Sequence, residues 1–142
     1  MLVVITVEVT KKLEIEKFII IMYLDLRDLA TYKLARRLSQ VGWEIYLRLT
    51  TEDKRLIGYQ FMQAIDSIGA NIAEGYGRFH YLDRKKFYYN SRASLLESRH
   101  WFEMIIERLT IDEKLSKEYL KCYKELRPAL NGLINSTKDK SI

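Results

Sequence analysis

Four stretches of the chain repeat apolar residues at steps of three and four, and that period governs what the chain can fold into. In the first, Ala30, Leu34, Leu38, Val41, Ile45 and Leu49 draw one stripe, while Arg36, Arg37, Glu44 and Arg48 fall elsewhere. At 100° per residue, such a stripe is one face of an α-helix. Thr50-Thr51-Glu52-Asp53 then supplies a helix start, with hydroxyls to cap and carboxylates to favour the positive end. The second stretch carries Ile57, Phe61, Ile65, Ile68 and Ile72. Gln60, Ser67, Asn71 and Glu74 form a polar stripe beside it, roughly a quarter-turn away.

The third stretch carries Phe87, Ser91, Ser94, Leu95, Ser98, Phe102, Ile105 and Leu109, with Asp83 as its expected cap. Its middle is small rather than bulky, so a neighbouring helix can come close. Thr110 and Glu113 have the spacing of a capping box for the fourth, which carries Leu115, Tyr119, Cys122, Leu126, Leu130 and Leu133. Pro128 interrupts that run and predicts a kink between Lys124 and Pro128. Gly75 and Gly77, residues that permit positive φ, predict the end of the second helix, and Gly69 predicts a close backbone approach or a bend. Each stripe needs partners to leave water, and short connections favour antiparallel neighbours. The expectation is an all-α, antiparallel up-down four-helix bundle over residues 24–137, with a frayed tail at 138–142.

Residues 1–23 have a different texture. From Leu2 to Thr10 the chain is β-branched, and Ile5, Val7 and Val9 alternate with Thr6, Glu8 and Thr10 at the period of a strand. No later segment offers a partner strand, and a lone strand is unstable. The segment therefore reads as an appendage outside the bundle, extended by its period. An edge arm, an oligomer contact, and sequence upstream of a start at Met22 are all compatible with it.

Composition narrows the function classes. The 142 residues are 48% hydrophobic and 30% charged, with six Gly and one Pro, which excludes a disordered chain, a collagen-like repeat and a loop-rich scaffold. A single cysteine, Cys122, cannot form an internal disulfide, and two histidines are too few for a typical zinc site. The longest apolar run, Phe18 to Leu24, is closed by Lys17 and Asp25, well short of the roughly 20 residues of a membrane span. Without a basic-then-apolar leader, a cytoplasmic protein is expected. There is no glycine-rich phosphate loop, no His-x-x-x-His pair, no Glu-x-x-His motif and no histidine paired behind a serine or Cys122. No catalytic residue, metal ligand or cofactor is expected.

The net charge of +5 is compatible with a polyanionic partner without requiring one. It is concentrated between Tyr76 and Arg99. There Arg78, Arg84, Lys85, Lys86, Arg92 and Arg99 outnumber Asp83 and Glu97, and Tyr76, Phe79, Tyr81, Phe87, Tyr88 and Tyr89 lie between them. Cations neutralise phosphate and exposed rings stack on unpaired bases, so this run is the candidate surface for RNA or single-stranded DNA. Phe87 and Tyr88 would be core if the charges were an ordinary solvated face. Ten tyrosines also fit a protein-interaction scaffold with no nucleic-acid role.

Three segments carry a resemblance: Gln60-Phe61-Met62-Gln63-Ala64-Ile65-Asp66-Ser67-Ile68-Gly69-Ala70-Asn71-Ile72-Ala73-Glu74-Gly75-Tyr76-Gly77-Arg78, then Ser91 to Glu97, then Leu130 to Ile134. Together they resemble the bacterial four helix bundle protein family, also called the ribosomal-RNA intervening-sequence protein family. That family is similar in turn to the accessory variability protein of diversity-generating retroelements. The resemblance implies a ring-like homo-oligomer, a pentamer, with no established catalytic activity, and by analogy RNA, single-stranded DNA and a reverse transcriptase as partners. It marks Gln60, Ser67, Asn71, Glu74, Gly75, Gly77 and Glu97 as motif residues. Glu74 sits where a helix dipole disfavours a carboxylate, so Arg78 or Arg92 is expected to offset it. Asn71 is expected to cap or cross-link the helix end. The motif residues either hold a structural polar network that fixes the turn between the second and third helices, or Asn71, Glu74, Arg78 and Glu97 face a shared groove or pore. Gly69 and Ala93 depart from the family's usual proline and glycine, Pro128 breaks the last helix, and residues 1–21 have no counterpart.

Overall fold

The computed structural model describes residues 1–138, apart from the side chains of residues 21–25. The described residues contain helices and no strand. In chain order these are α1 (Leu2–Asp28), α2 (Ala30–Leu47), α3 (Thr51–Asp53), a wide π turn (Lys54–Gly58), α4 (Tyr59–Tyr76), α5 (Tyr81–Arg108) and α6 (Glu113–Ser136). Helix α3, the π turn and α4 follow one another without a break, so the second amphipathic stretch is one rod with an inserted wide turn.

The expected bundle is present. Helix α2 packs on α4 and α6, and α5 packs on α4 and α6, closing a square. The pairings run antiparallel throughout. Thr31 near the start of α2 donates to the Ala129 carbonyl late in α6, and Ser39 donates to Asp66 at 2.6 Å midway along α2 and α4. Ser91 of α5 donates to the Ile68 carbonyl of α4 at 2.8 Å, and Arg92 of α5 reaches Asn131 of α6. The stripes meet inside: Leu38, Ile45, Phe61, Ile65, Ile68, Ile72, Leu95, Phe102, Ile105, Leu126 and Leu130 are buried. At the centre, the Tyr119 ring stacks on Phe102 at 4.0 Å and tilts against Phe61 at 5.8 Å.

The first segment is helical, which corrects the strand expectation for Leu2 to Thr10. A strand with no partner leaves every backbone donor and acceptor unmet, whereas a helix satisfies them within itself. Two threonines adapt by bonding back one turn, Thr6 to the Leu2 carbonyl and Thr10 to the Thr6 carbonyl. The helix leaves Leu2 to Ile20 exposed, and among its described side chains Leu26 is the one that joins the core.

Two of the three cap expectations also change. Thr50 caps as expected, accepting from the Asp53 backbone at 3.2 Å. Helix α5, however, starts after His80 with no side-chain cap, and Asp83 lies inside its first turn, where the dipole favours it. The cap of α6 is Asp112, accepting from the Leu115 backbone at 3.1 Å, in place of the Thr110 box. Helix α6 continues through Pro128; the carbonyl of Lys124, which loses its partner there, belongs to an exposed residue that water can reach. The tail expectation falls largely on residues 139–142, outside the described residues.

Helix α4 ends at Gly77 as expected, and no described glycine uses the positive φ that the residue permits. Gly75 has a different reason to be glycine. A Cβ there would lie 2.8 Å from the Tyr88 ring and 3.0 Å from the Arg84 carbonyl oxygen. Gly69 is the reverse case, because its Cβ would meet only ordinary contacts, Tyr32 at 3.8 Å and Ala35 at 3.9 Å.

Candidate nucleic-acid interface

Helix α5 carries most of the sequence-predicted cations, and its rotation sorts them. Tyr88, Ser91, Leu95, Ser98, Phe102 and Ile105 face the core. Lys85, Arg92 and Arg99 recur every seven residues along one edge of that face, the edge towards α6. Arg92 donates to Asn131 at 3.4 Å and sits 5.0 Å over the Tyr89 ring. Arg99 pairs with Glu103 and lies 5.4 Å over Tyr123. A groove of about 260 Å³ opens here, lined by Arg92, Leu95, Leu96, Tyr123, Arg127 and Asn131. Arg127 joins from α6; its signal in the sequence was only its four-residue distance from Asn131.

The other three predicted cations do not join this edge. Lys86 is exposed on the far side of α5. Arg78, beyond the end of α4, forms an ion pair with Glu74 at 2.6 Å and lies 4.8 Å over the Phe87 ring. Arg84 lies 5.7 Å over the Tyr76 ring, with its Nε buried and without a hydrogen-bond partner among the described residues. The Tyr88 hydroxyl beside it is buried and equally unpartnered. Burial pushes the Tyr88 phenol up from its ordinary value, and the Arg84 charge pulls back against that shift. Tyr88 is core and Phe87 half-buried, while Phe79 and Tyr89 keep exposed rings.

The motif residues divide into local pairs. Ser67 meets the Ser94 hydroxyl at 2.5 Å across α4 and α5, and Asn71 donates to the Ser67 carbonyl at 2.8 Å, one turn back within α4. Of the two expected roles, capping or cross-linking, Asn71 takes the second, and it does so one turn inside the helix. Glu74 takes Arg78 as its partner, and Arg92 is engaged elsewhere. Glu97 accepts from the Trp101 indole at 3.3 Å. Gln60 is exposed on α4, and Gly77 ends that helix at an ordinary φ of −77°. Glu74 with Arg78 and Glu97 with Trp101 are thus two separate pairs, the first at the end of α4 and the second within one turn of α5. The Ser67–Ser94 and Ser91–Ile68 bonds hold α4 and α5 together. Among the described residues no group of three or more His, Cys, Asp or Glu side chains could hold a metal ion, and no helix is long and apolar enough to cross a membrane.

The fold and its polar seam thus define an all-α bundle with a basic α5 edge. The sequence model of the 23S rRNA-intervening sequence protein family matches residues 27–132, and the chain belongs to that family. Its fold is similar to that of a protein of unknown function from the S23 ribosomal protein family of Bacteroides thetaiotaomicron, with a TM-score of 0.55 at 18% identity, over 72% of this chain and 99% of that one. No curated protein matches the chain.

Proposed function

We propose that the protein is a non-catalytic, cytoplasmic bundle that assembles into a ring-like homo-oligomer, a pentamer, and binds RNA or single-stranded DNA along the outer edge of α5. The observation that carries the reading is the seven-residue recurrence of Lys85, Arg92 and Arg99 beside the Arg92–Arg127 groove. Cations one and two full heptads apart mark a line about 20 Å long, the form a phosphate backbone can follow, with Arg99 at its end sharing its charge with Glu103. Arg92 is stacked on Tyr89, which holds its guanidinium in place at little entropic cost. The family's name, which refers to an rRNA-intervening sequence, supports the same partner class.

Self-association is supported by a second heptad row. Leu82, Tyr89 and Leu96 recur three residues before each cation of the line, and all three are exposed, the two leucines by 64%. An apolar row beside a basic row suits a helix that meets a neighbouring copy on one side and a polyanion on the other. Assembly would multiply the basic edge and raise avidity without new contacts. By the same analogy, a reverse transcriptase is a candidate protein partner.

Light scattering after size exclusion, with and without a single-stranded RNA, tests both halves. A multimer that shifts with RNA, and an affinity that falls as salt rises, are the expected results. A multimer that ignores RNA at low salt would favour the scaffold reading of the Leu82–Leu96 row.

A further inference from the structure

On the opposite corner of the bundle, α2 turns Lys33, Arg36, Arg37 and Gln40 outward at steps of three, one and three, all on one face. With Arg27 and Tyr32 they line an open concavity of about 480 Å³, larger than the α5 groove, and none of the described lining residues is a carboxylate. The first turn of α2 carries no acidic residue either, so its positive dipole end adds to the cations. Glu44 is the carboxylate next along the same face, exposed one turn beyond Gln40.

A second concavity adjoins the first. Tyr32 and Arg36 belong to both, and form the wall between them: the Arg36 guanidinium lies 5.8 Å over the Tyr32 ring and donates to its hydroxyl at 3.3 Å. Beyond the wall lies a cleft of about 220 Å³ between α2 and α4, with Ala35, Gly69, Ala70 and Ala73 among the small residues lining it. Asp66 and Ser39, hydrogen-bonded to each other, form its polar part. Gly69 helps keep this cleft open, since packing does not require glycine there.

We propose that these two concavities are a nucleotide-binding site for single-stranded RNA, with the backbone phosphate among Lys33, Arg36 and Arg37 and a base in the cleft over Gly69. The Arg36–Tyr32 wall stands between the two halves, as the sugar does between phosphate and base. Asp66 offers a carboxylate acceptor for an exocyclic amine. The site lies apart from α5 and rests on the proposal that the protein binds single-stranded nucleic acid.

The test is the affinity of the full-length protein for a fluorescent 20-mer of single-stranded RNA across a salt series. Lys33→Ala with Arg37→Ala is expected to weaken binding about tenfold and to flatten the log–log salt slope by about 0.7 for each phosphate left without its cation. Gly69→Leu fills the cleft without changing charge; it is expected to weaken binding while leaving the slope intact. Lys33 and Arg37 are exposed, so their variant remains informative even if Gly69→Leu fails to fold. Wild-type affinity and slope in the Lys33/Arg37 variant, with binding lost on Arg92→Ala and Arg127→Ala, would overturn this site and leave the α5 proposal standing. Absence of binding by the wild-type protein at low salt would overturn both.

Discussion

Gly75 on α4 and Tyr88 on α5 meet so closely that a methyl group on the glycine would lie 2.8 Å from the tyrosine ring. The same methyl would stand 3.0 Å from the Arg84 carbonyl, which is backbone and cannot swing aside. Gly75→Ala is therefore expected to destabilise the fold by about 1–3 kcal/mol, the usual cost of overpacking. Gly69→Ala, which meets only ordinary contacts, is expected to stabilise it by up to about 1 kcal/mol through helix propensity. Urea unfolding of the two variants checks the contrast, and equal effects would show that the α4–α5 approach is looser than these distances imply.

Much of this was legible in the residues, and the reason differs from element to element. The stripes from Leu34 to Leu133 are dictated by a 3.6-residue period, which survives any choice of neighbours, so the bundle could be read in advance. The strand expectation for Leu2 to Thr10 failed because β-branched residues favour a strand only when one is available to pair with. Gly75 could be marked as special from its motif, but the cause, a tyrosine from the next helix, is a tertiary fact. In the candidate interface, the charge run from Arg78 to Arg99 was visible, yet its division was not. Only the rotation of α5 separates Lys85, Arg92 and Arg99 from Arg78, Arg84 and Lys86. The α2 cations at positions 33, 36 and 37 had a readable helical spacing, but the concavity they line depends on Arg27 and Tyr32 coming alongside.

Tyr119 gives the fold an alkaline weakness. Its hydroxyl is 2.9 Å from the Ser98 hydroxyl in the core, and burial pushes its pKa well above the ordinary tyrosine value. A folded-state pKa above the unfolded one means that the full stabilisation is present below about pH 10 and is lost as pH rises past that value. Tyr119→Phe is expected to cost about 1 kcal/mol at neutral pH, because Ser98 keeps its bond to the Leu95 carbonyl. The same variant should lose less stability between about pH 9.5 and pH 11. Some alkaline loss should remain, since Tyr88 is shifted in the same direction by its own burial. Thermal melts across that pH range distinguish the outcomes; parallel curves for the two proteins would remove Tyr119 as the cause.

Cys122 is fully buried on the core face of α6, and burial raises its thiol pKa. Both effects suppress the thiolate at the surface. Its reaction with a water-soluble thiol reagent should therefore proceed only through opening of the bundle, on the order of 1,000-fold slower than in the unfolded chain. The rate should climb with urea in step with unfolding. Prompt labelling of the folded protein without denaturant would mean that α6 opens locally near Pro128.

Helix α1 contributes little to the bundle it precedes. Leu2, Val4, Ile5, Val7, Val9, Leu13, Ile15, Phe18, Ile19 and Ile20 are all exposed by about half or more, and α1 meets the core through Leu26 near its end. A helix apolar on every side and covered on none adds no burial energy, while it presents apolar surface to other chains. Deleting residues 2–20 should therefore change the free energy of unfolding by no more than about 0.5 kcal/mol, because no buried side chain is removed. The shortened chain should also aggregate less at high concentration. A loss of several degrees in melting temperature on deletion, at a protein concentration where both forms have the same oligomeric mass, would show that this segment packs against the bundle in solution; a loss accompanied by a fall in that mass would instead make α1 the contact between copies.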